Sequence, residues 1–391
     1  MSDLIYPPAG RVSSTIHESL RRRHEEARRT GMSIRAHLPQ PDVIERLIEA
    51  AFWASLRREE GRIPKISLAI VPREEAGDAI VLDRSITLAP GGLTRLAPAV
   101  ERPGLHLCVW GDAPDLRVWG ATRVVPDYSL VVEVFEPGLV VAKYSRGHPY
   151  GKYGNLAMFK GDQVKVVDDE AARRPDCPEV LAALTGMDGR LGWLGSTADN
   201  VSKEPDTYPN LLLRLAISMR AHGHGGILLV VGDHDSWMRS IVTPIRYQIT
   251  PPFDQLSLLL QEIGADGGEG GPRLAEVQQA VDALAGLTAV DGATIINRQY
   301  ALLAFGAKIE RALDSSTVKE VVITEPVVGN VPLTVDAASI GGTRHLSAAQ
   351  FVHDQRDALA FVASQDGRFT LFAWSDLEDR LYAHRLEALL L

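Results

Sequence analysis

Residues 341–349 read GGTRHLSAA and lie directly ahead of a helical pattern. This pattern places Thr343, Arg344 and His345 on the first turn of a helix that begins after Gly342. Helix N-termini carry unpaired N–H groups and the positive end of the macrodipole, so an anion, most often a phosphate, is the expected ligand. The same residues are also typical of an ordinary helix start with a surface Arg-His pair, so this stretch alone leaves both interpretations open.

A second stretch lies about fifty residues earlier and reads Asp291-Gly292-Ala293. The apolar run 294–296 follows it and predicts a strand. An aspartate at the start of a strand, beside a glycine that admits close backbone approach, is a usual way to hold a divalent metal near a phosphate.

The two stretches together resemble the diadenylate cyclase family, which carries an Asp-Gly-Ala motif and a Gly-Thr-Arg-His-Arg motif. Residues 359–372, LAFVASQDGRFTLF, resemble the strand, Ser-Gln turn and strand that follow in the DNA-integrity-scanning branch of that family. The resemblance covers about residues 209–374. It implies an α/β catalytic domain with a central mixed β-sheet flanked by helices, which joins two ATP molecules into the second messenger cyclic di-AMP or a related cyclic dinucleotide.

The resemblance also implies roles for single residues. Asp291 is expected to bind Mg²⁺ or Mn²⁺, and with Gly292, Arg344 and His345 it forms the expected catalytic set. The expected substrate-binding residues are Ala293, Gly342, Thr343, Ser364, Gln365 and Arg368. Each attacking 3′-hydroxyl belongs to the other ATP and one subunit holds one ATP, so two catalytic domains must face each other in a homo-oligomer.

Several positions depart from the family pattern. Leu346 replaces the second arginine of the Arg-His-Arg motif, and Asp366 and Gly367 replace basic residues after the Ser-Gln pair. These changes keep two rival interpretations open: a catalytically inactive nucleotide-binding sensor, and a scaffold with a vestigial cyclase fold. No helix-hairpin-helix segment follows Trp374, so DNA scanning is not expected.

The composition fits an ordinary globular protein of 391 residues, with 45% hydrophobic and 23% charged residues. The formal net charge of -9 argues against a general nucleic-acid binder but leaves a local ATP site possible. Two cysteines are too few for a disulfide framework. No apolar run approaches the roughly 20 residues that span a bilayer, so a cytoplasmic protein without membrane contact is expected.

Composition shifts divide the chain into five parts. They are a polar, mobile N-terminal segment 1–39 whose residues 14–29 can form a solvated helix, a β-rich α+β sensor or regulatory domain 40–168, a linker 169–208, the cyclase-like domain 209–376 and an amphipathic C-terminal helix 377–391. The second part resembles the variable sensor domains ahead of some diadenylate cyclases. Within the fourth, residues 264–272 predict a flexible loop, and residues 307–340 predict an irregular insertion.

Other candidate residues carry weaker signals. His222, His224, His234 and Asp235 offer metal-binding side chains, although His-x-His beside glycines is more often a turn. Asp233, His234 and Trp237 are an alternative set that would lie near the adenine. No GxxxxGK[ST] or GxSxG motif occurs, which argues against a P-loop NTPase and an α/β-hydrolase.

Overall fold

The computed structural model describes residues 5–29, 31–101, 104–145, 153–168, 211–232, 234–265 and 273–390. The chain divides into two compact units, of which the first ends at Val167 and the second begins at Asp168. The predicted linker and most of the predicted loop 264–272 lie outside the described residues. No helix in the described ranges combines the length and the apolar character needed to cross a membrane.

The described residues of the N-terminal unit form three helices and one mixed sheet. Its helices are α1 (Pro7–Arg29), α2 (Pro41–Ser55) and α3 (Pro90–Val100). Its strands are β1 (Ser67–Ile70), β2 (Ile80–Thr87), β3 (His106–Trp110), β4 (Arg117–Thr122), β5 (Leu130–Glu136), β6 (Leu139–Ser145), β7 (Tyr153–Lys160) and β8 (Gln163–Val166). Short β-branched runs alternate with Gly, Pro and Asp over the first six of these strands, which is the sequence pattern of short strands joined by turns.

The strand order of this sheet is β2-β4-β3-β1-β5-β6-β7-β8. Only the β1–β3 pair is parallel among the described strands, so the unit is a mixed, β-rich α+β domain. Helix α2 buries Ile44, Leu47, Ile48 and Ala51 against strands β5 and β6.

Helix α1 includes the helix predicted over residues 14–29, but it is longer and it is packed rather than mobile and solvated. It packs along α2 and buries Ile16 and Leu20 completely in the core of the unit. Tyr6, just ahead of it, stacks on Phe52 with ring centroids 3.7 Å apart. Arg23 is buried as well, so the charge run 21–29 is not a uniformly solvated face. The apolar stripe of α1 is narrow and therefore easily overlooked between its many charged residues.

The C-terminal unit surrounds a second mixed sheet with helices. Its helices are α4 (Leu211–Ala221), α5 (Gln255–Ala265), α6 (Arg273–Leu287) and α7 (Thr343–Asp354), with short 3₁₀ turns at Asp235–Ser240 and Ala337–Ser339. Its strands are β9 (Gly226–Val231), β10 (Tyr247–Phe253), β11 (Ala293–Asn297), β12 (Leu302–Ala307), β13 (Glu320–Thr324), β14 (Leu333–Asp336), β15 (Leu359–Ala363), β16 (Phe369–Ser375) and β17 (Arg380–Arg385).

These nine strands have the order β10-β12-β11-β9-β15-β16-β17-β13-β14. The central strand β9 is buried along its whole length, as its sequence GILLVV predicts for a strand covered on both faces. Helix α7 packs Ala348 and Phe351 into the same core as Leu229 and Val362. Helix α4 lies against α6 and β15. The mixed sheet with helices agrees with the predicted α/β class.

Two predictions about the C-terminal unit are wrong. The amphipathic helix expected over 377–391 is instead strand β17, which pairs with β16 and β13 and buries Leu381 and Ala383 in the core. The supposedly irregular insertion 307–340 contains β13 and β14, which form an antiparallel pair at the sheet edge. Tertiary pairing outweighs local propensity in both cases.

Candidate functional site

The predicted site residues gather at one end of the central sheet. Ala293 pairs with Ile227 in the parallel pair β11–β9, and Ala363 pairs with Gly226 in the antiparallel pair β15–β9. The residues ahead of β11, those ahead of β9 and those after β15 therefore lie at the same end, which we call the Gly226 end. Because neighbouring strands are about 4.8 Å apart, this register brings Asp291 and Ser364 to either side of the chain that leads into β9.

The Arg344 guanidinium lies over a glycine at this end. Gly225 has a φ of +73°, and a β-carbon built on it would be 3.4 Å from Arg344 Nη1, 3.4 Å from Gln365 Cγ and 3.2 Å from the Ala363 carbonyl oxygen. Gln365 Nε2 donates to the His224 carbonyl oxygen at 3.3 Å. Arg344 and Gln365 thus occupy the space that a side chain at position 225 would need.

Helix α7 begins at the predicted place. Its N-cap is Gly342, whose carbonyl accepts from the N–H groups of His345 and Leu346. The N–H groups of Thr343 and Arg344 have no carbonyl acceptor among the described residues. Both side chains are exposed. The first turn therefore offers two backbone donors and one guanidinium to an anion.

His345 differs from its neighbours because it is buried rather than presented to solvent. It is 6% exposed, and its ring meets the Phe372 ring edge-on at 6.2 Å. A β-carbon at Gly341 would be 2.7 Å from His345 Nδ1, so the glycine makes room for this ring. Burial lowers the pKa of His345, and Arg368 and Arg385 lower it further against the opposing effect of Asp366. The His345 ring therefore packs against Phe372 and Gly341 and is not presented to solvent.

In the Asp-Gly-Ala stretch the first residue is exposed to solvent and the last is buried in the core. Asp291 is exposed, and its carboxylate has no hydrogen bond or ion pair with any other described residue. Gly292 has a φ of +108°, and a β-carbon there would be 2.5 Å from the Gly306 carbonyl carbon. Ala293 is buried in the core. Close approach of strand β12 thus accounts for the glycine, and only the backbone of Ala293 is left to contact a ligand.

A tight turn joins β15 to β16. The Ser364 N–H donates to the Arg368 carbonyl oxygen, and the Gly367 N–H donates to that of Ser364. Partial burial would raise the pKa of Asp366, but hydrogen bonds from the Ser364 hydroxyl and the Arg368 N–H lower it. The Ser364 hydroxyl therefore lies close to the Asp366 carboxylate, which would compete with a phosphate for it. Arg368 is exposed and forms a 3.4 Å ion pair with Asp366.

Two residues of this end were missed from the sequence. Arg385 ends strand β17 opposite Thr370, and its charge acts on His345. It was overlooked because its segment was predicted to be a helix. Arg220, at the end of α4, reaches within 4.0 Å of the β-carbon position of Gly367. With Arg344 and Arg368 these residues bring four guanidinium groups to one end of the sheet.

The four residues considered as a possible metal set do not come together, which agrees with the alternative of an ordinary turn at His222 and His224. His222 and His224 precede β9 whereas His234 and Asp235 follow it, so a strand of roughly 20 Å separates the two pairs. His222 Nε2 lies 3.0 Å from Thr288 Oγ1, and its Nδ1 accepts from the His224 N–H. Within the described ranges no three His, Cys, Asp or Glu residues form a metal-binding group.

The set expected near the adenine follows the end of β9 that is opposite to the Gly226 end. Trp237 is buried in the core, and like His234 it follows the far end of β9. Asp233 lies outside the described residues. The structure therefore does not bring this set to the Gly226 end.

Comparison with known families gives one match. The family model described as "Probable sensor domain DACNV", the N-terminal sensor domain of diadenylate cyclase proteins, matches residues 33–123. This match covers less than a quarter of the chain and lies wholly in the N-terminal unit. No curated protein sequence matches the chain.

Proposed function

We propose that the C-terminal unit is a diadenylate cyclase that condenses two ATP molecules into cyclic di-AMP or a related cyclic dinucleotide. The observation that carries this proposal is the register of β11, β9 and β15, which brings the unpaired carboxylate of Asp291 and the guanidinium of Arg344 to one end of the sheet. The sensor-domain match in the N-terminal unit supports the same context from an independent part of the chain.

The reaction needs charge neutralisation more than a covalent nucleophile. The 3′-hydroxyl of each ATP attacks the α-phosphate of the other, a P–O bond to the pyrophosphate breaks, and the hydroxyl proton is lost. Positioning and electrostatics dominate catalysis of this class of transfer. In this proposal the free N–H groups of Thr343 and Arg344, with the Arg344 guanidinium, hold the triphosphate, and Asp291 faces the attacking hydroxyl.

Asp291 is also the residue that would hold Mg²⁺ or Mn²⁺. Mg²⁺ keeps several waters and is usually bound by one or two carboxylates together with substrate phosphates. One exposed, unpaired carboxylate therefore fits such an ion, although it could not hold it alone. When bound, the ion would neutralise phosphate charge next to the four guanidinium groups.

The proposal requires two copies of the chain. One Gly226 end holds one ATP, so a second copy must present its own site face to face. The N-terminal unit would then regulate the reaction by favouring or opposing this arrangement.

A second candidate function is a catalytically inactive nucleotide-binding sensor, and Leu346 favours it. This residue stands on the first turn of α7, 38% exposed, where the resembling family has an arginine. Loss of one charge-assisted contact costs on the order of 1.5–3 kcal/mol, which a binding protein tolerates more easily than an enzyme does.

Incubation of the full chain with ATP and Mn²⁺ or Mg²⁺, followed by mass spectrometry, tests the proposal directly. The expected product is a cyclic dinucleotide with one pyrophosphate released per ATP. Asp291→Asn should abolish it. Asp376→Asn is a matched control, because Asp376 is an exposed aspartate in the turn between β16 and β17 at the opposite end of the sheet.

Leu346→Arg separates the two candidates. If the unit is an enzyme weakened by this leucine, the substitution should raise turnover by roughly tenfold or more. ATP binding without any product, both in the natural chain and in this variant, would leave only the sensor function. Absence of ATP binding in calorimetry would remove both.

A further inference from the structure

The N-terminal unit contains a cavity of about 550 Å³. Its walls come from the C-terminal half of α1, the extended segment 34–38, the loop 72–75 after β1, and Trp110 at the end of β3. The volume lies within the range of small-molecule sites. All lining residues belong to one unit, so the cavity is independent of the candidate cyclase site.

An unsatisfied acceptor lies in this cavity wall. Oε2 of Glu75 is shielded from solvent and has no hydrogen-bond partner. Buried polar atoms nearly always have a partner, so such an atom at a cavity calls for a hydrogen-bond donor from elsewhere. Glu75 lines the cavity, and a rotation of its carboxylate toward the cavity would let a ligand N–H group satisfy this oxygen.

Two free cations line the same cavity. Arg28 and Arg35 are exposed, and neither forms a hydrogen bond or ion pair through its side chain with other described residues. Arg21, in contrast, is engaged with Glu18 and Glu25 along α1. Free guanidinium groups bind phosphate or carboxylate through paired N–H donors. The carboxylates of Glu25, Glu74 and Glu75 also line the cavity, so it is the two unpaired arginines that favour an anionic group on the ligand.

Aromatic rings form a further part of the wall. The His37 ring meets the Trp110 ring edge-on, with centroids 4.8 Å apart, and both line the cavity. A half-buried indole in a cavity wall is a stacking surface for a flat heterocycle.

We propose that this cavity binds a purine mononucleotide. Its base would stack on Trp110 and donate an N–H to Glu75, while its phosphate would meet Arg28 and Arg35. Inorganic phosphate would leave Glu75 unsatisfied, and an aliphatic amino acid would leave the aromatic wall unused. Because the family match describes residues 33–123 as a sensor domain, this nucleotide would be the signal that the unit detects.

The test uses the full chain with Arg344→Ala, which removes a guanidinium of the C-terminal site so that binding there does not confuse the measurement. Calorimetric titrations compare GMP and AMP with guanosine, adenosine and ribose 5-phosphate. At least one nucleotide should bind, tenfold or more tightly than its nucleoside and than ribose 5-phosphate. Arg35→Ala should weaken nucleotide binding by roughly tenfold to a hundredfold, as expected for a charge-assisted contact.

Glu75→Ala should weaken nucleotide binding similarly but leave any residual ribose 5-phosphate binding unchanged. Arg95→Ala, at an exposed arginine of α3 outside the cavity, is the matched control and should bind like the parent chain. Thermal melting confirms that each variant folds. The proposal is overturned if neither nucleotide binds at millimolar concentration, if ribose 5-phosphate binds as tightly, or if Arg35→Ala and Glu75→Ala bind like the control. None of these results depends on whether the C-terminal unit is catalytic.

Discussion

Two glycines ahead of β9 allow the position of Arg344 to be tested separately from backbone strain. Gly223 and Gly225 have nearly equal φ angles of +70° and +73°. A β-carbon at Gly223 would meet nothing within 4 Å, whereas one at Gly225 would lie 3.4 Å from Arg344 Nη1 and 3.2 Å from the Ala363 carbonyl oxygen. Alanine at either position therefore introduces the same strain, and only Gly225→Ala crowds the arginine.

The expected magnitudes follow from this difference. An alanine in the left-handed region costs about 1–2 kcal/mol of unfolding free energy, so both variants should lose that amount. Gly225→Ala should lose about 1 kcal/mol more, because the carbonyl and the guanidinium must move by a few tenths of an ångström. A displaced guanidinium loses part of a charge-assisted contact, and about 1.4 kcal/mol corresponds to tenfold weaker ATP binding.

Urea denaturation measures the unfolding free energy, and calorimetric titration with ATP and Mg²⁺ measures the affinity. Gly223→Ala should bind ATP like the natural chain despite its lower stability. If Gly225→Ala binds ATP equally well while denaturation shows the expected strain, Arg344 does not contact the nucleotide from this position. The argument for the site at the Gly226 end would then fail.

Three further predictions concern the C-terminal unit. Asp354 accepts three hydrogen bonds of 2.6–2.8 Å in the core, so Asp354→Ala should lower the unfolding free energy by about 3 kcal/mol. The control Asp314→Ala removes only an exposed ion pair, and denaturation should show a loss of unfolding free energy of at most about 0.5 kcal/mol. Burial lowers the pKa of His345 below 6.5, so the native state binds fewer protons than the unfolded state and loses stability as the pH falls from 6.5 toward the lowered pKa. Denaturation of the natural chain and of His345→Gln should show that the difference between their unfolding free energies narrows over that pH range. Gly292→Ala should lower the unfolding free energy by more than about 3 kcal/mol, because its β-carbon would lie 2.5 Å from the Gly306 carbonyl carbon. Gly286→Ala inside α6 is the control: its β-carbon would meet nothing within 4 Å, so the same assay should show an unfolding free energy that is higher by about 0.5–1 kcal/mol.

The sequence predicts well those features that depend on a few neighbouring residues. The start of α7 at Thr343 follows from a local signal, a glycine N-cap ahead of a helical pattern. The buried strand β9 follows from six consecutive residues without a charge. The early strands of the N-terminal unit follow from β-branched runs between turn residues. In each case the local pattern and the tertiary packing favour the same element, so propensity is sufficient.

The failures occur where pairing partners are distant in the sequence. Residues 380–385 contain good helix formers, but β16 and β13 supply hydrogen bonds on both sides and hold them as a strand. This error also hid Arg385, because a residue in a solvated helix has no reason to be placed beside His345. Gly292 was expected to admit close backbone approach beside a metal and phosphate, although strand β12 already fills the space of its β-carbon. Such close approaches depend on the register of the paired strands, which the amino-acid sequence alone does not give here.

The arginines at the Gly226 end bear on whether Leu346 silences the site. Arg368 and Arg385 both act electrostatically on His345, so they contribute positive potential close to the first turn of α7. Arg368, however, is exposed and paired with Asp366, and solvent screening weakens its effect at a distance. A general positive field attracts a triphosphate but does not orient its oxygens, which requires paired donors at fixed positions. The leucine at the position of the motif arginine should therefore reduce turnover more than it reduces ATP affinity. Measuring both turnover and ATP affinity in Leu346→Arg and in the natural chain is the best way to separate the cyclase and sensor functions.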